Sequence, residues 1–145
     1  MPLNHRQQQL ASIASAAAAG RSDALRTALN NALDNGLSVN NGLSVNEARD
    51  VFVQLYAYAG FPRSLNALVT LDNTVKERQK KGQNTTEGKA ATPLPAGADI
   101  LALGTKTQTE LTGRKVDVTA LSPDIDRYLK SHLFGDIFAS DLLNW

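Results

Sequence analysis

The chain has 145 residues, a net charge of +1 and no cysteine, with 42% hydrophobic and 20% charged residues. This size and composition suit one soluble globular core. The near-neutral charge and the lack of an apolar run of about 18 residues argue against nucleic acid or membrane as a partner. Without thiols, disulfides and thiolate catalysis are excluded, and with only two histidines we expect no metal site and no cofactor.

The chain opens with an alanine-rich helix pattern over residues 3–19 that stops at Gly20. Its apolar stretch LASIASAAAA (residues 10–19) is too weakly apolar for a good secretory signal. We therefore expect a cytoplasmic protein, with secretion after signal removal as the alternative. Ser22 is the expected N-cap of a second helix. The apolar stripe of that helix is Leu25, Leu29 and Leu33, with Ala24, Ala28 and Ala32 beside it.

The hexapeptide NGLSVN occurs twice in tandem, at residues 35–40 and 41–46. Only the second copy contains a capping box, because Ser44 is followed three residues later by Glu47. The pattern therefore predicts that a third helix begins at about Val45. We interpret the first copy as a duplication tolerated in a surface loop.

The stretch VQLYAYAGFPRSLN (residues 53–66) predicts an antiparallel pair of helices around a sharp break. Gly60 is the expected C′ residue with positive φ, and Pro62 suits the first turn of the next helix. That helix ends in KERQKK (residues 76–81), which we expect to be solvated at the negative end of the helix dipole. Its apolar set is Leu65, Leu68, Val69 and Leu71.

Three regions follow from the composition: a helical core over residues 1–82, a polar linker over 83–95 and a helical C-terminal segment over 96–145. The last region is expected to pack on the core or on a neighbouring subunit. No convincing strand pattern appears, so the fold class is all-α, with about six helices in total.

The C-terminal region contains two of these helices. The first is expected over residues 97–112 and ends at Gly113. Ser122 and Pro123 open the second, with acidic residues in its positive first turn. The apolar stripe of this last helix is Ile125, Tyr128, Leu129 and Leu133.

The segment NEARDVFVQLYAYAGFPRSLNAL (residues 46–68) resembles the carboxymuconolactone decarboxylase family. The resemblance covers residues 3–80 and implies an alkylhydroperoxidase D-like helical bundle. The tail PDIDRYLKSHLFGDIFASDLLNW (residues 123–145) is similar to a segment that precedes the core in that family. The resemblance therefore implies either a circular permutant or the front part of a longer, two-unit protein.

The resemblance implies two activities, decarboxylation of a muconolactone-type acid or thiol-dependent peroxide reduction. It places Ala59 and Pro62 where the peroxidase branch has its cysteine pair, and Asn66 near the histidine position. Because the thiolate is the nucleophile of that chemistry, the chain is not expected to be a thiol peroxidase. The resemblance also implies a homotrimer or homohexamer, with a small acidic molecule as the ligand.

Substrate-binding candidates cluster at the corner. Arg63 is the candidate anion holder, although a surface arginine or one tied to a helix-end carbonyl is the alternative. Ser64 offers a hydroxyl donor, and Gly60 and Pro62 frame the corner. Tyr58 either lines a pocket with its hydroxyl or belongs to the core.

Two residues are candidates for proton transfer. Glu47 matches an acidic family position that the resemblance links to a proton relay, but its role in a capping box also explains it. His132 lies in the family-like tail and has a near-neutral pKa by type, whereas a surface or interfacial histidine is the alternative. Two function classes stay open: a decarboxylase-like enzyme, or a non-catalytic helical homo-oligomer or small-ligand binding module with the same fold.

Overall fold

The computed structural model describes residues 1–36, 38 and 41–143, and all regular secondary structure in these ranges is helical. The predicted all-α class is confirmed. None of the described helices is long and apolar enough to span a bilayer. The chain forms two compact units, Met1–Ala91 and residues 92–143. Parts of the first NGLSVN copy and of the tail lie outside the described residues: Leu37, Val39, Asn40, Asn144 and Trp145.

Helix α1 spans His5–Ala18. Asn4 and Gln7 cap it reciprocally, since each side chain bonds the backbone N–H of the other residue. The helix stops at Gly20, which has a φ of 69° and donates its N–H to the carbonyl of Ala17 at 3.0 Å. The predicted stop at Gly20 is therefore confirmed, and glycine fits because the turn needs positive φ.

Helix α2 spans Ser22–Asp34 and packs against α1. The prediction that Ser22 caps it was wrong, because Arg21 occupies the N-cap and makes no side-chain cap hydrogen bond. Ser22 is instead the first helical residue. The predicted apolar stripe is confirmed for Leu25, Leu29, Ala32 and Leu33, which are buried, whereas Ala28 is half-buried and Ala24 is exposed.

Helix α3 spans Val45–Lys80 and begins with the predicted capping box. The Ser44 hydroxyl accepts from the N–H of Glu47, while the Glu47 carboxylate accepts from the N–H of Ser44. Gly60 interrupts the element with non-helical backbone. The predicted third and fourth helices are thus the two arms of α3, residues 45–59 and 61–80.

The two arms fold back on one another. The hydroxyl of Ser64 lies 2.7 Å from the carbonyl oxygen of Phe52. In a straight helix, residues twelve positions apart would be separated by about 18 Å. The short contact therefore requires a reversal at Gly60, as the predicted antiparallel pair demands.

The core of the first unit joins α1, α2 and both arms of α3. On the second arm, Ala67 and Leu71 are buried, but Leu65 is 57% and Val69 60% exposed. Two residues of the predicted apolar set therefore lie outside the core. The main core residues are Ile13, Leu25, Leu29, Leu33, Leu43, Val45, Phe52, Leu55 and Leu71.

The end of α3 contains a buried arginine. Arg78 is only 2% exposed, so the expectation of a wholly solvated KERQKK segment was wrong. Its Nη1 lies 2.8 Å from Asp34 Oδ1 and 3.0 Å from Asn30 Oδ1, while Nη2 donates to the carbonyl of Asn84 at 2.6 Å. A buried guanidinium needs such partners to offset its lost hydration. The arginine thereby links α2 to the chain that follows α3.

The segment after α3 returns to the start of that helix. The carbonyls of Thr86 and Glu87 accept the N–H groups of Val45 and Asn46 at 2.9 and 3.0 Å. These two N–H groups belong to the first helical turn and have no partner within the helix. The early part of the predicted linker, residues 83–95, therefore serves as a backbone cap for α3.

The second unit contains α4 (Ile100–Thr112), α5 (Pro123–Tyr128) and a π-helical segment (Leu129–Ile137). Gly113 ends α4 with a φ of 69°, and the Ser122 hydroxyl caps α5, as predicted. The last predicted helix is thus continuous but widens into π-helical backbone.

Close backbone contact holds this unit together. A Cβ at Gly104 of α4 would stand 1.5 Å from the carbonyl oxygen of Lys130, so only glycine fits there. The predicted apolar stripe was wrong for Ile125 and Tyr128, which are both 51% exposed. Asp126 is buried instead, where it accepts from the N–H of Val118 at 3.0 Å and from the Lys130 ammonium.

Candidate functional site

The corner between the two arms of α3 has the predicted glycine break. Gly60 has φ 81° and ψ 168°, an extended conformation with positive φ that is essentially restricted to glycine. Pro62 follows in the first turn of the second arm. The rings of Tyr56 and Phe61 stack across the corner with centroids 3.9 Å apart. The corner is therefore fixed by backbone conformation and by ring packing.

Arg63 extends from this corner to the end of α1. A Cβ at position 20 would stand 1.4 Å from Nη1 of Arg63, so the guanidinium lies directly on Gly20. The negative end of the α1 dipole favours a cation at this point. Within the described part of the chain, no hydrogen bond or ion pair joins Arg63 to another residue. Its exposed N–H groups can therefore bind an anion from solvent.

A shallow depression with an interior volume of about 10 Å³ lies beside this guanidinium, where α1 ends, α2 begins and the second arm passes. Small-molecule sites commonly enclose roughly 300–1,000 Å³, whereas this depression has room for about one water-sized group, so a ligand would lie mainly across its mouth. Its walls combine apolar side chains with a cation, an amide and a hydroxyl. The lining includes Gly20, Arg21, Leu25, Asn66, Ala67 and Thr70.

Glu47 lies at the start of α3 and is held by ionic and neutral donors. Its Oε1 is 2.6 Å from Nη2 of Arg6, and its Oε2 accepts from the N–H of Ser44 at 2.8 Å. Partial burial raises the pKa of the Glu47 carboxyl, but the Arg6 guanidinium and the Ser44 donors outweigh it and bring this pKa below its ordinary value. The carboxylate is therefore ionised at neutral pH and is not poised to donate a proton.

Two other predicted binding residues at the corner, Ser64 and Tyr58, do not line the depression. Ser64 is 4% exposed and gives its hydroxyl hydrogen to Phe52, inside the hairpin. Tyr58 is 76% exposed, so it belongs neither to the core nor to the lining of the depression. Of the predicted binding residues, the structure brings only Arg63 to the edge of the depression.

His132 belongs to the second unit, whereas the corner residues and Glu47 belong to the first. Its Nδ1 lies 3.0 Å from Oδ2 of Asp136, one turn later in the π-helical segment. The two side chains are about half exposed, at 49% and 41%. In the described ranges, no group of three or more His, Asp or Glu side chains could hold a metal ion.

Two residues of the site were not predicted from the sequence. Arg6 is the ionic partner of Glu47 although 41 positions separate them, and Arg21 lines the depression through its place at the N-cap of α2. The capping box revealed the local partner of Glu47 but carried no information about Arg6. The Arg6–Glu47 contact could have been inferred only with the knowledge that α1 packs against the start of α3.

No family model, curated protein or solved structure matches this chain. The carboxymuconolactone decarboxylase resemblance therefore rests on the motifs of the sequence itself. The exposed Arg63 guanidinium and the adjoining depression lie where α1 ends, whereas the ionised Glu47 lies beside Arg6, where α1 begins.

Proposed function

We propose that the first unit binds a small carboxylic acid, with Arg63 as the anion holder and the surface around the adjoining depression as the contact for its apolar part. The observation that carries this proposal is the position of the Arg63 guanidinium. It lies on Gly20 at the edge of the depression and has no ionic partner among the described residues. A guanidinium can take both oxygens of a carboxylate in one bidentate contact.

The lining of the depression supplies both apolar and polar contacts for a small acid. Leu25 and Ala67 supply apolar walls, while the amide of Asn66 offers a hydrogen-bonding edge. Muconolactone-type acids, which the family resemblance implies as substrates, combine a carboxylate with a compact ring. We therefore choose an acid of that class as the probe ligand.

We further propose that this unit binds the acid without decarboxylating it. Decarboxylation leaves a carbanion that a positioned acid must protonate as carbon dioxide departs. Glu47 is ionised and bonded to Arg6 and Ser44, and it lies at the end of α1 opposite to Arg63, so it is not placed to protonate an acid held there. We therefore propose a helical small-acid binding protein. Its proposed carboxymuconolactone decarboxylase type and alkylhydroperoxidase D-like bundle rest on the sequence resemblance, and its proposed cytoplasmic location rests on the lack of a good secretory signal.

The test is a titration of the whole chain with a muconolactone-type acid, followed by amide chemical shifts in nuclear magnetic resonance. We expect shifts at Gly20 and Asn66, and binding at least about tenfold weaker in Arg63→Gln, because a charge-assisted contact is lost. Arg26→Gln removes an exposed arginine from α2 outside the lining and should bind like the parent chain. Equal affinity in both variants would overturn the assignment of Arg63.

The enzyme alternative is tested in the same samples by ultraviolet absorbance. Under the binding-only proposal, the acid is recovered unchanged after prolonged incubation. Loss of the acid with release of carbon dioxide, abolished in Arg63→Gln, would show that the chain is a decarboxylase and would replace the binding-only proposal.

A further inference from the structure

An apolar face runs along one side of the α3 hairpin. On the second arm, Phe61, Leu65 and Val69 follow one another at intervals of four residues, so they form one stripe. They are 59%, 57% and 60% exposed. The Tyr56–Phe61 stack joins this stripe to the first arm, where Val53, one turn before Tyr56, is 44% exposed. We call these five residues the hairpin face.

The hairpin face is also almost free of charge. Residues 51–71 contain one charged side chain, Arg63, although charged residues make up 20% of the whole chain. Arg63 is directed to Gly20 of α1. The stripe ends at Asp72 and Lys76, which pair with each other at 2.7 Å. Depletion of charge around exposed aromatic and aliphatic side chains is typical of the centre of a protein interface.

We propose that a second copy of this chain covers the hairpin face, so that two hairpins pair through the same residues. This inference uses neither Arg63 nor the depression and is independent of the proposed function. A face with no charge has nothing to select an oppositely charged partner, whereas an identical copy matches its size and polarity automatically. The net charge of +1 per chain gives only weak repulsion between two copies.

The area of the hairpin face suits such a pair. With about 150–200 Å² per fully exposed large side chain, the exposed fractions of Val53, Phe61, Leu65 and Val69 leave roughly 300–450 Å² of apolar surface. A standard interface buries about 800 Å² per partner, of which roughly 450 Å² is apolar. The face therefore supplies most of the apolar area that one side of a stable dimer needs.

The second unit also has an exposed apolar stripe, but charged side chains interrupt it. Leu121, Ile125 and Tyr128 are exposed, but Asp124 and Arg127 interrupt them and pair at 3.2 Å. An interface centre with charges inside it would require their desolvation. This stripe therefore provides a matched control for the hairpin face.

The experiment compares the full chain with Leu65→Lys and Leu121→Lys by light scattering and sedimentation at about 100 µM. At this concentration, a dimer with a dissociation constant of about 1 µM or lower would be almost fully formed. We expect a mass about twice the 15.5 kDa of one chain for the parent and for Leu121→Lys. Leu65→Lys should be monomeric with the same helical circular dichroism, because Leu65 lies outside the core. A monomeric parent chain, which would leave the face to a different protein, or a dimeric Leu65→Lys variant overturns the proposal.

The absence of cysteine allows a second measurement on the folded protein. Residues at the centre of a two-fold interface lie near the axis and face their own copies. A single cysteine at Leu65, the middle of the stripe, should therefore form an intermolecular disulfide under mild oxidation. A cysteine at Leu121 should stay largely uncrosslinked at the same concentration. Equal crosslinking at both positions would indicate random collision and would contradict the pairing of hairpin faces.

Discussion

The hydroxyl of Ser64 lies 2.7 Å from the carbonyl oxygen of Phe52 and ties the two arms of α3 together beside their glycine break. Ser64→Ala should lower the free energy of unfolding by about 1 kcal/mol, because a buried hydrogen bond is lost while the carbonyl keeps its helical partner. Urea denaturation followed by circular dichroism measures the change. Ser15→Ala is the control, since the Ser15 hydroxyl is exposed and bonds only within α1. An equal effect in both variants would show that the inter-arm bond contributes nothing.

Glu47 should make the stability of the fold depend on acid. Its pKa in the folded state is below the ordinary value of 4.5, so its ionised form stabilises the folded chain above that pH. This contribution is lost as the pH falls through the folded-state pKa. Glu47→Gln should therefore cost about 1 kcal/mol near neutral pH, where the carboxylate serves the capping box and Arg6.

The cost of Glu47→Gln should shrink at a pH well below 4.5, where the parent carboxyl is itself protonated. Urea midpoints measured near neutral pH and near pH 3 test this difference. Asp72→Asn is the control, because Asp72 forms only an exposed ion pair with Lys76. A cost for Glu47→Gln that does not change with pH would exclude the ionised carboxylate as its cause.

Arg78 should matter more to stability than any exposed ion pair of the same helix. Arg78→Met removes bonds to Asp34, Asn30 and Asn84 and should cost about 2–4 kcal/mol, since several charge-assisted hydrogen bonds are lost together. Lys76→Met breaks an ion pair whose side chains are 64% and 61% exposed, and should cost less than about 1 kcal/mol. Similar costs in thermal or urea unfolding would contradict the importance of the buried network.

Gly104 should be indispensable to the packing of the second unit. A Cβ there would stand 1.5 Å from the carbonyl oxygen of Lys130 and 2.8 Å from the backbone nitrogen of Gly135, and backbone atoms cannot move aside cheaply. Gly104→Ala should therefore separate α4 from the π-helical segment and speed proteolysis within residues 92–143. Gly97→Ala meets no atom within 4 Å and adds only the cost of left-handed backbone at a φ of 75°, so it should change the digestion rate far less. Slow digestion of Gly104→Ala would show that this close approach is not required.

Local signals in the sequence predicted the helix ends well. The Ser44–Glu47 box, the stops at Gly20 and Gly113 and the start at Ser122 depend on residues within a few positions of one another. Such capping interactions join side-chain and backbone groups of the same helical turn. They can therefore be inferred without knowing the rest of the fold.

Long-range partners and the choice of buried face could not be predicted in the same way. Arg78 lies in a run of cations that normally indicates solvent, and its burial depends on α2 lying opposite. Leu65 and Val69 fit an apolar helical pattern, but a pattern does not show whether a partner covers it. The edge of the candidate site has the same origin, because Arg63 meets Gly20 only after the hairpin packs on α1.

Gly60 provides the sharpest test of the corner. Its φ of 81° and ψ of 168° fall in a region that costs other residues about 1–3 kcal/mol, although the nearest atom to an added Cβ, Cδ of Pro62, is 3.7 Å away. The expected penalty of Gly60→Ala therefore arises from backbone conformation and not from a clash. Gly82→Ala is the matched control, because Gly82 has a φ of 65° and open space around it. We expect Gly60→Ala to lower the free energy of unfolding by more than Gly82→Ala, since a left-handed turn costs alanine only about 1 kcal/mol. A smaller effect at position 60 would mean that the arms can reverse with ordinary backbone, and the corner would not depend on glycine.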